Sequence, residues 1–250
     1  MRFIVSPAKK MNVANDAFSW RDMPRFIEHA ELLMNKVRSL DYEQAKELWK
    51  ASDALSTLNF ERFHTMDLRG NTTPLSPAIF AYEGIQYQNI APSVMEEAHL
   101  EYMQEHLRIL SGFYGVLRPF DCVVPYRLEM QAKLEAAGAG DLYGFWGDQL
   151  ARVLAEETTT VVNLASVEYA KAITPHADQV GLRVITCLFG FEREGKLQQR
   201  STAAKAARGS MVRWCAERGI VDVADLRAFD VGGYSYRTDM STEDMLVFTL

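Results

Sequence analysis

The chain has 250 residues, of which 48% are hydrophobic and 24% charged, and its formal net charge is −6. These proportions exclude wholesale disorder and fibrous architectures, and a chain of this length needs neither disulfide nor metal to bury a core. The acidic balance excludes a surface that is a polyanion-binding field throughout, while leaving room for a local basic cleft.

In chain order, Phe3-Ile4-Val5 reads as a buried strand ended by Ser6-Pro7. Between Arg25 and Arg38 the apolar residues Phe26, Ile27, Ala30, Leu33, Met34 and Val37 recur at helical spacing. Asp41 stands three residues before Gln44, the pattern of a capping box, and predicts a second helix through Lys50. Pro74 and Pro77 precede Ala78-Ile79-Phe80-Ala81-Tyr82, which reads as a strand. A long helix is expected over Val94 to Leu110, and Asp141 is placed to cap another that buries Leu142, Phe145, Trp146, Leu150 and Val153. Val161–Leu164 and Val184–Phe189 read as buried strands, Ser201–Arg218 as a helix and Met245–Leu250 as a closing strand. No repeat or linker interrupts the pattern. The expected class is mixed α/β (α+β): a single compact domain over residues 1–250, with short buried strands surrounded by helices and a basic cleft.

Cys122, Cys187 and Cys215 are scattered, as expected of reduced thiols in the cytosol. Cys122, beside Asp121, is the one candidate for a reactive thiol. The N-terminal residues lack a signal-peptide pattern, and no apolar run approaches the ~20 residues that span a bilayer. A cytoplasmic protein without membrane contact is expected. The five histidines show no metal-ligand spacing, and no nucleophile elbow, phosphate loop or zinc-protease motif occurs. No cofactor and no metal are expected, and nothing specifies a reaction.

The segment from His106 to Met130 holds most of the candidate chemistry. Gly112 and Gly115 follow an expected helix end, and free backbone N–H groups in such a hairpin can hold a phosphate. The competing reading is a plain helix C-cap with a turn. Arg118, Asp121, Arg127 and Glu129 set two cations and two carboxylates close together, as a pocket or as structural ion pairs. Asn163, Ser166 and Glu168 bring polarity to the end of a buried strand, and Lys9 follows the end of the first strand. Between Phe191 and Arg218, seven Lys or Arg residues oppose three acids, a local basic stripe or a solvated helix face.

Together, Ser6-Pro7-Ala8-Lys9, Ser111-Gly112-x-Tyr114-Gly115-x-Leu117-Arg118-Pro119, Pro125-Tyr126-Arg127-Leu128-Glu129-Met130, Asn163-Leu164-Ala165-Ser166-x-Glu168-Tyr169 and Ala207-Arg208-Gly209 resemble the YaaA family over the whole chain. The resemblance, to a family also catalogued as UPF0246, implies a cytosolic α/β protein of the hydrogen peroxide (oxidative) stress response. It further implies a part in iron homeostasis and DNA binding through a positively charged cleft with a helix-hairpin-helix-like element, here carried onto His106 to Pro119. One departure is visible. An acidic residue often follows the glycine that matches Gly84, and this chain has Ile85.

The first functional expectation is therefore a peroxide-stress protein, without assigned catalysis, that binds double-stranded DNA independently of sequence and helps limit iron-driven damage. Its expected nucleic-acid contacts are Ser111, Gly112, Tyr114, Gly115 and Arg118, together with Lys196, Arg200, Lys205 and Arg208. The alternative is an enzyme acting on a phosphate-bearing or nucleoside-like small molecule. Its expected pocket for a small anionic ligand takes in Lys9, Asp121, Arg127, Glu129 and Asn163. Direct iron binding has the least support, for want of a Cys/His cluster. Lys9 and Asn163 are expected to converge on the charges of the central motif.

Overall fold

The computed structural model describes residues 1–13 and 18–250. Five strands run parallel across its centre, in the spatial order Met245–Thr249, Arg183–Arg193, Thr160–Leu164, Arg2–Val5, Leu107–Ser111. Short antiparallel strands extend both edges: Ser235–Tyr236 beside Met245–Thr249, and Gly115–Leu117 beside Leu107–Ser111. Lys196–Gln198 folds back on the end of Arg183–Arg193. Parallel central strands are covered on both faces, which is why Phe3, Ile4, Val5, Val161, Val162 and Leu164 form nearly unbroken apolar runs. The mixed α/β class expected from the sequence is the one found.

The order of the strands matters for function. From Arg2–Val5 the chain crosses to Leu107–Ser111 on one side, and its next central strand, Thr160–Leu164, lies on the other. The sheet therefore reverses its winding between Arg2–Val5 and Thr160–Leu164. The crevice outside the carboxyl ends of such strands is where open α/β sheets bind ligands.

Local signals set several helices. Asp41 and Gln44 form the expected capping box ahead of Tyr42–Trp49, and Asp141 accepts the Gly144 N–H at the start of Leu142–Trp146. Ile27–Arg38 buries Ala30, Leu33, Met34 and Val37, and Ser201–Arg218 spans the residues predicted for it. Three expectations fail. The one helix expected from Asp141 through Val153 is two, Leu142–Trp146 and Gln149–Glu157, broken at Gly147, whose φ of 48° is left-handed. Ala78–Ala81 is one turn of helix, because an apolar run of five carries no period to separate strand from buried helix. The helix expected over Val94 to Leu110 is Glu97–His106, after which Leu107 turns extended and pairs with Phe3. The sheet edge claims Leu107–Ser111 against its helical spacing.

Candidate functional site at the switch point of the sheet

Ser6 directly follows the first strand, and Ser166 stands two residues past Leu164. The Ser6 hydroxyl accepts the Ser166 N–H at 2.8 Å and lies 3.2 Å from the Ser166 hydroxyl, so the two strand ends are tied together. Helix Ile85–Ile90 closes over this tie. Gln86 Nε2 donates to the Leu164 carbonyl at 3.2 Å, and the Tyr87 hydroxyl donates to the Ser6 carbonyl at 3.0 Å. Helix Ser201–Arg218 packs in turn on Ile85–Ile90. At Gly209 an added Cβ would lie 2.1 Å from the Gln86 carbonyl oxygen, so only glycine lets the two backbones meet.

A cavity of about 560 Å³ opens above these strand ends, a size suited to a small ligand. Lys9, Arg127, Glu129, Glu168, Lys205 and Arg208, with the paired Lys10 and Glu83, give its wall charge, and Tyr87, Tyr126 and Tyr169 give it apolar surface. Lys9 Nζ and an Arg127 nitrogen lie 3.1 Å and 2.9 Å from the same Glu129 oxygen. Glu168 is placed differently. Burial raises its carboxyl above the ordinary range, the Gln131 N–H opposes that shift, and the charge of Glu129 adds to it. Arg208 has no carboxylate partner among the described residues, and its buried Nε finds no hydrogen-bond acceptor. Burial lowers its pKa from the ordinary value.

Beneath the cavity, Tyr126 links to a buried polar chain. Its hydroxyl lies 2.6 Å from that of Ser111 and 2.8 Å from that of Tyr82. The Ser111 oxygen also accepts the N–H groups of Phe113 and Tyr114, at 3.1 and 2.8 Å. This corrects the helix-hairpin-helix expectation. Ser111 to Gly115 joins two antiparallel strands, and Ser111, Gly112, Tyr114 and Gly115 are all buried. The Phe113 and Tyr114 amides are already satisfied, and none of these four residues can meet a duplex as the molecule stands. Gly112 is required by packing: an added Cβ would lie 2.6 Å from the Leu128 carbonyl oxygen. Its own carbonyl accepts the Trp146 indole N–H at 3.0 Å.

The expected pocket residues divide into three groups. Lys9, Arg127 and Glu129 meet in the cavity. Asn163 turns aside: its amide oxygen accepts the Ala165 N–H at 2.9 Å, and its nitrogen donates to Thr186 Oγ1 at 3.2 Å. Arg118 and Asp121 lie at the amino ends of the parallel strands, with Arg2, Arg108 and Glu157. There Glu157 is 2.6 Å from Arg108, 3.5 Å from Arg2 and 3.7 Å from Arg118. Asp121 accepts the Arg118 N–H at 2.8 Å, and burial raises its carboxyl to about 7. A smaller hollow of about 230 Å³ adjoins this group.

The basic stripe also divides. Lys196, Arg200 and Lys205 are exposed, whereas Arg208 is half-buried in the cavity wall. The three cysteines are free and buried. Burial pushes the Cys122 thiol up to about 11, the opposite of what a reactive thiolate requires. Sequence reasoning missed Gln86, Tyr87 and Tyr126 as parts of the site. The charges Lys9, Arg127 and Glu129 and the polarity of Ser166 and Glu168 past a strand end pointed to the cavity, but nothing pointed to these three. Among the described residues no helix is long and apolar enough to cross a membrane.

Comparison with known proteins places the whole chain. A family model described as peroxide stress protein YaaA matches residues 1–240. A UPF0246 protein of Desulfitobacterium hafniense is 46% identical over 248 residues, covering 99% of this chain and 97% of its own. Proteins described in the same way from Pediococcus pentosaceus and Lachnoclostridium phytofermentans are 47% and 48% identical, with 99% of this chain and 97% and 96% of theirs covered. The chain belongs to the peroxide stress protein YaaA family.

Proposed function

We propose that this protein serves in peroxide-stress protection by acting on a phosphate-bearing or nucleoside-like small molecule held in the switch-point cavity. One observation carries the reading: a half-open cavity of ligand size lies outside the carboxyl ends of the two central strands, with cations and carboxyls from five separate chain segments on its wall. Glu168, whose burial favours the protonated carboxyl, supplies the proton donor of such a site. A thermal-shift screen of nucleosides, nucleotides and phosphorylated metabolites tests it. A true ligand at a hundredfold excess over its Kd raises Tm by roughly 5–10 °C for a chain of this size. A flat response across the whole set, with tight duplex binding beside it, overturns it.

A second reading, sequence-independent binding of duplex DNA that limits iron-driven damage, keeps one supporting observation. Lys196, Arg200 and Lys205 are exposed and have no carboxylate within ion-pair distance among the described residues. Three cations on phosphates imply a log K against log[salt] slope of about −3, and a titration at several salt concentrations reads it directly.

A further inference from the structure

The buried and half-buried arginines of the molecule are unequally satisfied. Arg2, Arg108 and Arg127, which are also wholly or partly buried, lie 3.5, 2.6 and 2.9 Å from a carboxylate oxygen. Arg208 has none among the described residues, although it is half-buried; its Nε, like those of Arg2 and Arg127, is shut off from water with no hydrogen-bond partner, but of the three only Arg208 also lacks a carboxylate within ion-pair distance. A desolvated guanidinium with unmet donors is unfavourable unless something outside the chain completes it. Its place is fixed by the glycine beside it, through the backbone contact of Gly209 with Gln86. Lys205, three residues earlier on the same helix, lines the same cavity. Glu129 and Glu168 occupy another part of the wall, beyond ion-pair distance of Arg208. The Glu129 carboxylate repels an anion, and the carboxyl oxygens of both attract hydrogen-bond donors. The wall is thus polarised, cationic along the helix and carboxyl-bearing elsewhere.

We propose that Arg208 and Lys205 anchor a phosphomonoester group, while Glu129 and Glu168 receive an N–H-bearing group at the other end of a nucleotide-sized ligand. A planar guanidinium matches two phosphate oxygens at once, and the lysine adds a point charge. This deepens the small-molecule reading above and rests on it.

Isothermal titration of the full chain with adenosine, adenosine 5′-monophosphate and inorganic phosphate tests the anchor. The monophosphate is expected to bind the parent about 10- to 100-fold more tightly than the nucleoside, the range of one charge-assisted contact. Arg208→Gln is expected to remove that advantage and leave the nucleoside affinity unchanged, and Arg208→Lys to restore part of it. Equal binding of the monophosphate by the parent and Arg208→Gln overturns the anchor while leaving the cavity a ligand site. Equal affinity of the parent for nucleoside and monophosphate overturns it too, as does failure to bind either. The metabolite screen then decides the fate of the broader reading separately. If Arg208→Gln does not fold, the exposed Lys205→Gln carries the test. A loss of about 3- to 10-fold confined to the monophosphate supports the anchor, and no loss overturns it.

Discussion

Two groups of charged side chains stand at opposite ends of the same parallel sheet. At the amino ends of the strands, three arginines surround Glu157, so each has a carboxylate of the chain within ion-pair distance. At the carboxyl ends, Glu129 takes both Lys9 and Arg127, Glu168 lies half-buried near it, and Arg208 is left without a carboxylate partner among the described residues. Residue types are nearly the same in the two places. What separates an ion cluster from a candidate binding site is whether the chain completes its own charges, and where in the winding of the sheet they fall.

The comparison is broken most severely through Glu157. Removing its charge in Glu157→Gln leaves Arg108 buried and unpaired beside Arg2, and the expected loss is about 3–5 kcal/mol, read from urea unfolding. Should the variant unfold at the same urea concentration as the parent, the amino-end cluster is no structural unit.

Asp121, in the same cluster, gives the next effect and a pH signature. Burial holds its folded-state carboxyl at about 7, above the ordinary value of 3.8. Between these values the folded chain keeps a proton that the unfolded chain has released. The stabilisation is therefore complete below about pH 4 and is lost as pH rises through 7, by on the order of 3–4 kcal/mol. Asp121→Asn is expected to flatten that part of the stability–pH curve, and an unchanged curve would place its origin elsewhere.

The smallest effect sharpens the contrast. Since Arg208 makes no compensating contact, Arg208→Gln is expected to alter stability by less than about 1 kcal/mol, and upward. An arginine that stabilises the empty protein would have a partner within the chain, and the two ends of the sheet would then be alike.

How much of this was legible in the sequence depends on how local each signal is. Asp41 and Gln44 cap their helix through contacts three residues apart, and Ser201–Arg218 carries its pattern over 18 residues. Both could be read directly. Leu107–Ser111 is a strand because Phe3, more than a hundred residues away, pairs with it. Leu107 and Leu110 kept helical spacing, so nothing nearby revealed the strand. The same holds at the site. Lys9, Arg127 and Glu129 drew notice as charges beside turns, but Gln86 and Tyr87 matter only because their helix lies over strand ends distant in sequence. Ser111 and Gly112 were noticed for the wrong reason. Residues that resemble a phosphate-binding turn serve here as a buried acceptor and a point of close backbone approach.

The backbone contact at Gly209 has a consequence for any attempt to change what the cavity accepts. One wall of the cavity is set by two helices whose main chains touch, so any side chain placed at Gly209 would push the helices apart and change the spacing of the wall. Redesign would have to work along the wall away from Gly209, at Ser201, Lys205 or Ile85, which line the space. Ile85 is an uncharged residue of the cavity wall, so an acidic substitution there would alter the charge of the cavity.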